Sequence, residues 1–293
     1  MGRVFEAVGA FVTASALAVP AFAQGNGHGN AFGHYKNTVA SASTSSAASG
    51  GAEGPALSGS GVRNFGSWLD DASVMEPGDG FVSFGFSLWK TPAYREIDLP
   101  TLDSGFAVTR KLQVGMALPY YHASEAGGPV ARGVGDLYLN AKYQLRAPTK
   151  DRIGIGLVPM VELLSVAPPS GGSRVQWALP VSVERQFPGW RAMGTGGYFS
   201  RGAIFGAGAV EIELSGRTWA TGTMSYSYST RSDELSTALG LTRARTDVSG
   251  GLTVALRDDV AVYGSLGRTI SARDANSASL IASAGISFGV KRP

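Results

Sequence analysis

The sequence predicts an all-β fold: a transmembrane antiparallel up-and-down barrel of about 12 strands. Three observations lead to this prediction. Long segments alternate between apolar and polar side chains, and short turns alternate with longer connections along the chain. Glycine is abundant, at 41 of 293 residues, whereas charged residues make up only 16%. Together they favour strands that cross a bilayer over a soluble domain, in which about a quarter of residues are charged.

Composition excludes several classes of function. The chain has no cysteine, which rules out disulfide scaffolds, iron–sulfur clusters and thiol catalysis. The formal net charge of +3 implies no extended basic surface for nucleic acid. Only three histidines are present, and no acidic cluster has the spacing of a calcium loop. We therefore predict no catalytic residue, no cofactor, no metal site and no nucleic-acid partner.

The N-terminus resembles a secretory signal peptide. Arg3 supplies a positive start, residues 7–19 form an apolar stretch, and Ala21 and Ala23 provide a small-x-small cleavage site. The apolar stretch is shorter than the roughly 20 residues of a spanning helix, although a membrane anchor or buried helix remains the alternative. We expect export through a signal peptide at residues 1–23.

The rest of the chain divides into two parts. Residues 24–77 begin with a stretch dominated by Gly, Ser and Ala, which has too little apolar surface to offset the entropy of folding. We predict a flexible periplasmic segment there, whose two histidines, His28 and His34, are more simply read as incidental than as metal ligands. Residues 78–293 form the predicted barrel.

Period-two alternation within the barrel region separates two faces of each strand. Leu137, Leu139 and Tyr143 alternate with Asn140 and Lys142, for example. Such segments reach the roughly 9 to 11 residues that a tilted transmembrane strand needs, whereas soluble strands usually have about 5 or 6. We expect the apolar face to contact lipid and the polar face to line the lumen.

Turns set the predicted topology. Tight polar turns are predicted at 110–111, 150–152, 188–189, 216–217 and 258–259, and longer outer connections at 90–102, 120–133, 165–173, 199–203, 230–245 and 271–277. Five inner turns and six outer loops give twelve strands with both termini in the periplasm. Residues 235–241 also alternate, and we assign them to an outer loop because a thirteenth strand breaks the pattern. Fourteen strands remain the alternative.

Eleven side chains are candidate lumen-lining residues. They carry charge or hydrogen-bonding groups on the inward face: Asp136, Tyr138, Asn140, Lys142, Arg152, Glu162, Glu184, Glu211, Glu213, Asp247 and Arg257. Their charges form either a constriction that filters solutes or a paired network that only stabilises the barrel. Aromatic girdles are expected from Trp89, Tyr120 and Trp177 at the outer interface and from Tyr143, Trp190, Trp219 and Phe288 at the inner one.

One strand carries a family resemblance. The run Gly133-Val134-Gly135-Asp136 followed by Lys142-Tyr143 resembles the Gly-x-Gly-Asp…Lys-Tyr strand of outer-membrane transporters associated with the meta-pathway of phenol degradation. The resemblance extends over roughly residues 80–288. It implies a β-barrel and the passage of small compounds, often aromatic or apolar.

The predicted function is passive transport of small solutes across the outer membrane of a Gram-negative bacterium. The expected partners are outer-membrane lipid, the barrel-assembly machinery, which reads a terminal aromatic such as Phe288, and an unidentified small solute. Two alternatives remain open. One is a lipid-modifying enzyme that uses His122 and Ser124, with Glu125 nearby. The other is a barrel that does not transport and whose outer loops bind a partner.

Overall fold

Most of the described chain folds into β-strands. The computed structural model describes residues 69–92, 94–125, 130–165, 173–231, 241–271, 274 and 277–290. The predicted signal peptide (1–23) and most of the predicted flexible segment (24–68) lie outside these residues. Within the described ranges, no helix has the length and apolar character needed to cross a membrane.

Fourteen strand segments make up the sheet. They are β1 (Gly80–Lys90), β2 (Tyr94–Ala107), β3 (Leu112–Glu125), β4 (Val130–Val134), β5 (Leu137–Arg146), β6 (Gly154–Leu157), β7 (Met160–Leu163), β8 (Val175–Phe187), β9 (Trp190–Phe199), β10 (Ala203–Ser215), β11 (Thr218–Ser229), β12 (Ala244–Arg257), β13 (Val260–Ser271) and β14 (Leu280–Val290). All their pairings are antiparallel.

These segments correspond to twelve spanning strands, because two strands are interrupted. β4 and β5 both pair with β3, and β6 and β7 both lie between β5 and β8. Pro159 lies in the second interruption, where its missing N–H removes a ladder hydrogen bond. At the first, a Cβ on Gly135 would lie 2.8 Å from Pro119 Cγ, so only glycine fits. The predicted count of twelve is confirmed.

The sheet closes on itself. β1 pairs with β14 along its whole length, from Gly80 opposite Val290 to Lys90 opposite Leu280. Every other spanning strand pairs with its neighbours in chain order, when β4 with β5 and β6 with β7 are each counted as one strand. Closure leaves no spanning strand with an unpaired edge, as hydrocarbon requires, since each unsatisfied backbone group there costs several kcal/mol.

The five predicted tight turns each connect two strands at one end of the barrel. Gly189 adopts a φ of 77°, which explains the glycine of the turn between β8 and β9. The outer loop predicted over 90–102 is wrong, because β1 runs to Lys90 and β2 begins at Tyr94. Instead, a register shift between Asp98 and Thr101 accommodates Pro100 within β2. The alternating segment at 235–241 lies almost entirely outside the described residues.

The two faces of the barrel wall have opposite polarity. On β8, Leu179, Val181 and Val183 are 42–51% exposed, whereas Ser182 and Glu184, which alternate with the valines, are at most 1% exposed. A soluble protein would bury the apolar face instead. The arrangement of apolar side chains outside and polar side chains inside is that of a transmembrane β-barrel.

Aromatic side chains occupy both faces. Tyr120, Tyr143, Trp177 and Phe288 are 36–50% exposed on the outer surface, and Trp190 stacks on Phe187 with 3.9 Å between ring centroids. The girdle positions predicted for Trp89 and Trp219 are wrong, since these side chains are only 3% and 7% exposed. Strand parity explains this: each indole shares its face with inward residues such as Ser87 or Thr221.

Candidate functional site

The barrel interior is the candidate site. Eight of the eleven predicted lumen residues are buried, with exposures of 8% or less: Asp136, which directly precedes β5, and Tyr138, Asn140, Lys142, Glu162, Glu184, Glu211 and Asp247 on strands. Glu213 is half-buried near the end of β10. The structure brings Lys142, Glu184 and Glu211 into one network, whereas Asp247 belongs to a second cluster.

Two predicted lumen residues lie elsewhere. Arg152 is exposed in the turn before β6. Because it does not lie on a strand, it has no inward-facing position. Arg257 is exposed as the last residue of β12, beyond a register shift between Ala255 and Arg257. Alternation of side chains along the sequence predicted that both residues face the lumen. The prediction fails for Arg152 because β6 begins only after it, and for Arg257 because the register of β12 shifts before it.

The charged network joins the wall to the chain that precedes β1. Lys142 Nζ lies 2.8 Å from a carboxylate oxygen of Asp70 and 2.8 Å from one of Asp71. Arg191 binds Asp71 at 3.0 Å and Glu211 at 2.8 Å, and approaches Glu184 at 3.5 Å. All of these side chains are at most 11% exposed. Two cations therefore hold four carboxylates in a low-dielectric interior, where each charge depends on its partners.

Residues 69–79, which we call the N-terminal strap, lie inside the barrel. The peptide of Asp70 exchanges hydrogen bonds with Thr195 Oγ1 on β9. Glu184 on β8 accepts hydrogen bonds from Ala72 N and from Ser73 Oγ.

The strap continues across two further strands. The side chain of Gln144 on β5 donates to Ala72 O, and Gln113 on β3 accepts from Met75 N. The strap thus crosses the inner wall from β9 to β3, near the tight-turn end, before β1 begins. Its first nine residues belong to the segment predicted to be flexible.

A second charged cluster lies towards the opposite end of the barrel. Arg245, the second residue of β12, binds Asp247 with both Nε and Nη2 at 2.8 Å. Its guanidinium carbon lies 4.4 Å from the ring centroid of Trp89, a cation–π distance. Thr269 Oγ1 donates to Asp247 at 2.6 Å and accepts from Arg245 at 2.9 Å. Both ends of the lumen therefore carry rigid, paired charge.

The inner wall also has an apolar side and a hydroxyl-rich side. The apolar side is formed by Ala117, Tyr138, Met160, Ala178, Phe199, Ala203 and Phe205, on β3 to β10. Tyr138 keeps a polar contact there, because its hydroxyl donates to Glu162 at 2.5 Å. The hydroxyl-rich side carries buried Ser83, Ser87, Ser225, Ser227, Ser229, Thr253, Ser265, Thr269, Ser283 and Ser287, on β1 and β11 to β14.

A cavity of about 340 Å³ opens at the tight-turn end, beside the Arg191 network. Phe187, Trp190 and Trp219 contribute aromatic surface to it, and Lys150 and Glu213 contribute charge. It combines apolar walls with a few charged groups, a combination common in small-molecule sites.

His122, the residue of the alternative enzyme hypothesis, lies on β3. The His122 ring lies edge-on to Tyr120 with 5.2 Å between centroids, and its strand neighbours are Ile97 and Arg132. A catalytic histidine needs an acceptor that orients it, and the side chain of Glu125, the acid named with His122 and Ser124, lies outside the described part of the structure. In the described part of the chain, no group of three or more His, Cys, Asp or Glu side chains could hold a metal ion.

Several important side chains were not predicted from the sequence. Asp70 and Asp71 were missed because they precede the first strand and show no period. Arg191 could have been found, since it alternates with Trp190 and shares a face with Thr195.

Comparison with known proteins supports the fold. No protein-family model matches the sequence, and no curated protein matches it. The structure is similar to the COG4313 outer membrane channel from Pseudomonas putida F1, with a TM-score of 0.60 and 11% identity over 75% of this chain and 98% of that one. It is also similar to the NanC porin, with a TM-score of 0.50 and 11% identity over 71% and 98% of the two chains. These similarities show an outer-membrane-type barrel fold.

Proposed function

We propose that this protein is an outer-membrane channel for the passive passage of small solutes, including aromatic or apolar compounds. The observation that carries the proposal is the closed barrel with a polar interior and an apolar exterior. Eight side chains of the predicted lumen set are polar or charged and lie buried in that interior. The Pseudomonas putida protein, which is named as a channel, supports the same function.

The two-sided inner wall suits a solute with an apolar body and hydrogen-bonding groups. Phe199 and Phe205 offer aromatic contact, and the serine-rich strands opposite offer hydroxyl groups. Aromatic pairs gain roughly 0.5–1.5 kcal/mol beyond the burial of their area, so a ring would find a favourable path along this side. The resemblance to transporters of the phenol meta-pathway supports the same solute class.

The charges at the tight-turn end act as a filter in this proposal. The N-terminal strap narrows that mouth, and Lys142 and Arg191 hold it against the wall. Solutes would pass between the strap and the strands that it does not touch.

The proposal includes a location and partners. The tight turns face the periplasm, as short turns do in outer-membrane barrels, after export directed by residues 1–23. Outer-membrane lipid contacts the exposed side chains of the wall, and the assembly machinery reads the C-terminal strand near Phe288.

Liposome swelling tests the function. Purified protein, with folding verified by heat-modifiable electrophoretic mobility, is reconstituted and exposed to arabinose, methyl glucoside and phenyl glucoside. Swelling above that of protein-free liposomes is expected for all three, with a relative preference for phenyl over methyl glucoside. Folded protein that gives no swelling would contradict channel function.

A matched pair of variants tests the aromatic path. Phe205→Ala removes a ring from the apolar side of the lumen, whereas Ile204→Ala changes the adjacent lipid-facing side chain, which is 54% exposed. The preference for phenyl glucoside should fall in the first variant only. Equal effects of the two substitutions would argue against ring contact inside the barrel.

A further inference from the structure

We propose that a basic patch on the outside of the barrel binds the phosphorylated head group of a membrane lipid. The patch lies at the end opposite the tight turns, which we call the outer end. The proposal rests on the outer-membrane location given under the proposed function, which places this end in the outer leaflet. It adds a lipid site on the wall to the passage of solutes through the lumen.

Two cations of the patch lie directly opposite each other. Lys90, the last residue of β1, pairs in register with Arg95 on β2. Both are exposed, whereas their inward neighbours Trp89 and Glu96 are at most 3% exposed. The Cα atoms of such a pair are about 4.5–5.5 Å apart, and like charges placed there repel each other. An anion bound between the two side chains would offset this repulsion.

A second pair lies on the next two strands. Arg132 on β4 is exposed and pairs in register with His122 on β3, which is half-buried. Val134, two residues after Arg132, is 56% exposed, so both belong to the lipid-facing side of β4. The guanidinium of Arg132 and a ring N–H of His122 can both donate to one anion.

Arg268 on β13 extends the patch in the other direction, and it is exposed. The residue before it, Gly267, pairs with Ile281 on β14, which in turn pairs with Trp89 on β1. Arg268 and Lys90 therefore lie in the next row towards the outer end, with one strand between them. The spacing of strands puts their backbones about 10 Å apart.

The patch keeps its charge, because no salt bridge neutralises it within the described part of the protein. The salt bridges there are made by Lys142, Arg191 and Arg245, all of which lie in the lumen. Asp274, in the connection between β13 and β14, is half-buried and accepts hydrogen bonds from Thr242 N and Oγ1 at 2.8 and 2.7 Å. The patch cations are therefore available to an external ligand.

Exposed acidic side chains belong to the other end of the barrel. Among the side chains that the structure describes, those exposed are Glu76 on the strap and Asp151, Asp258 and Asp259 in tight turns. Exposed cations in these turns have acidic neighbours, as Arg152 has Asp151. The outer end instead presents clustered cations without exposed carboxylates in the described ranges, an arrangement that attracts anionic lipid.

The chemistry of the patch suits phosphate. Arginine binds phosphate oxygens with two parallel N–H groups, and lysine binds them as a point charge. The Lys90–Arg95 pair and the Arg132–His122 pair are centred two strands apart, about 10 Å, so each can hold one phosphate of a head group that carries two. Tyr120 beside His122 is 36% exposed, as expected of an aromatic residue at the level of lipid head groups.

Native mass spectrometry of the folded protein in micelles tests the proposal. The wild-type protein should retain bis-phosphorylated lipid A and release its dephosphorylated form. The triple variant Lys90→Gln/Arg95→Gln/Arg132→Gln should retain the phosphorylated lipid at least about tenfold more weakly, because each cation near the head groups adds to the attraction. Equal retention of the two lipids by the wild-type protein would overturn the proposal.

A matched triple variant controls for net charge. Arg110→Gln/Lys111→Gln/Arg152→Gln removes two arginines and one lysine from exposed tight turns, and it should retain the lipid as the wild-type protein does. An equal loss of retention in both triple variants would show that total charge, and not the patch, binds the lipid. Heat-modifiable electrophoretic mobility verifies that each variant is folded.

Two further comparisons identify what is bound and separate this proposal from channel function. Inorganic phosphate should displace the lipid no more than potassium chloride of equal ionic strength does, and selective displacement by phosphate would assign the patch to a free anion instead. Liposome swelling by the same protein measures transport independently. Swelling without lipid retention contradicts the lipid site alone, and retention without swelling contradicts the channel alone.

Discussion

Arg191 connects three acidic side chains from three parts of the chain. Its guanidinium binds Glu211 through two nitrogens, at 2.8 and 3.0 Å, and reaches Asp71 and Glu184 with Nη1. The planar fork of an arginine suits such shared binding, whereas a lysine presents a single point charge. The alternation of β9 could predict that this side chain faces inward, but it could not predict the acids that it meets.

Replacing Arg191 should therefore be costly. Arg191→Met leaves Glu211 and Asp71 buried with less compensation, and we expect a loss of about 3–5 kcal/mol in the free energy of unfolding. Arg152→Met is the control, because that side chain is exposed, and it should change stability by no more than about 0.5 kcal/mol. Urea unfolding in lipid vesicles, followed by tryptophan emission, measures both. Similar stability of the two variants would show that the buried network contributes little.

β8 shows how the sequence of a single strand specifies one side that faces lipid and one side that faces the lumen. Its outward side chains are apolar along most of the strand, and the inward ones become polar towards the tight-turn end. This pattern could be predicted because strand geometry has a period of two. β2 was harder, since Pro100 and its flanking charges look like a loop. Only pairing with β1 and β3 shows that a register shift keeps them within the strand.

Depth in the bilayer should decide the effect of a charge on β8. Val181 lies mid-strand and Val175 at the outer end, both on the lipid-facing side and 42% and 51% exposed. Val181→Arg should cost about 2–4 kcal/mol and Val175→Arg about 0–1, because the penalty falls towards the interface. Unfolding titrations in vesicles compare the two variants. Equal costs would contradict a lipid-facing outer surface.

The feature that most affects the barrel is the N-terminal strap, which precedes β1 in the chain and lies against the inner wall. Asp70 and Asp71 of the strap join a charged network on the wall. The wall residues of that network carry no net formal charge together, since Lys142 and Arg191 offset Glu184 and Glu211. The side chain of Gln144 also donates a hydrogen bond to the strap, and the side chain of Gln113 accepts one from it. The strap is therefore held by side chains from several strands.

Neutralising the strap should open the tight-turn end. Asp70→Asn/Asp71→Asn removes the attraction to Lys142 and Arg191 but leaves the wall charges balanced, so single-channel conductance should rise. Glu76→Gln is the control, since it removes charge from an exposed position on the same strap. A Ser73→Cys probe in the cysteine-free chain should react faster with a soluble maleimide when Asp70 and Asp71 are neutralised. Unchanged conductance and labelling would show that the hydrogen bonds alone hold the strap.

The barrel, its twelve spanning strands, its tight turns and the polarity of its two faces could all be predicted from the amino acids alone. These properties are local, because each depends on side chains that alternate along one strand or on a few residues in one turn. Which charged side chains contact each other could be seen only in the folded barrel. Asp71 is 71 positions from Lys142 and 120 from Arg191, and a contact over such separations exists only once the barrel has closed around the strap. The same closure turned Trp89 and Trp219 inward, because the pairing of whole strands decides which face of each strand encloses the lumen.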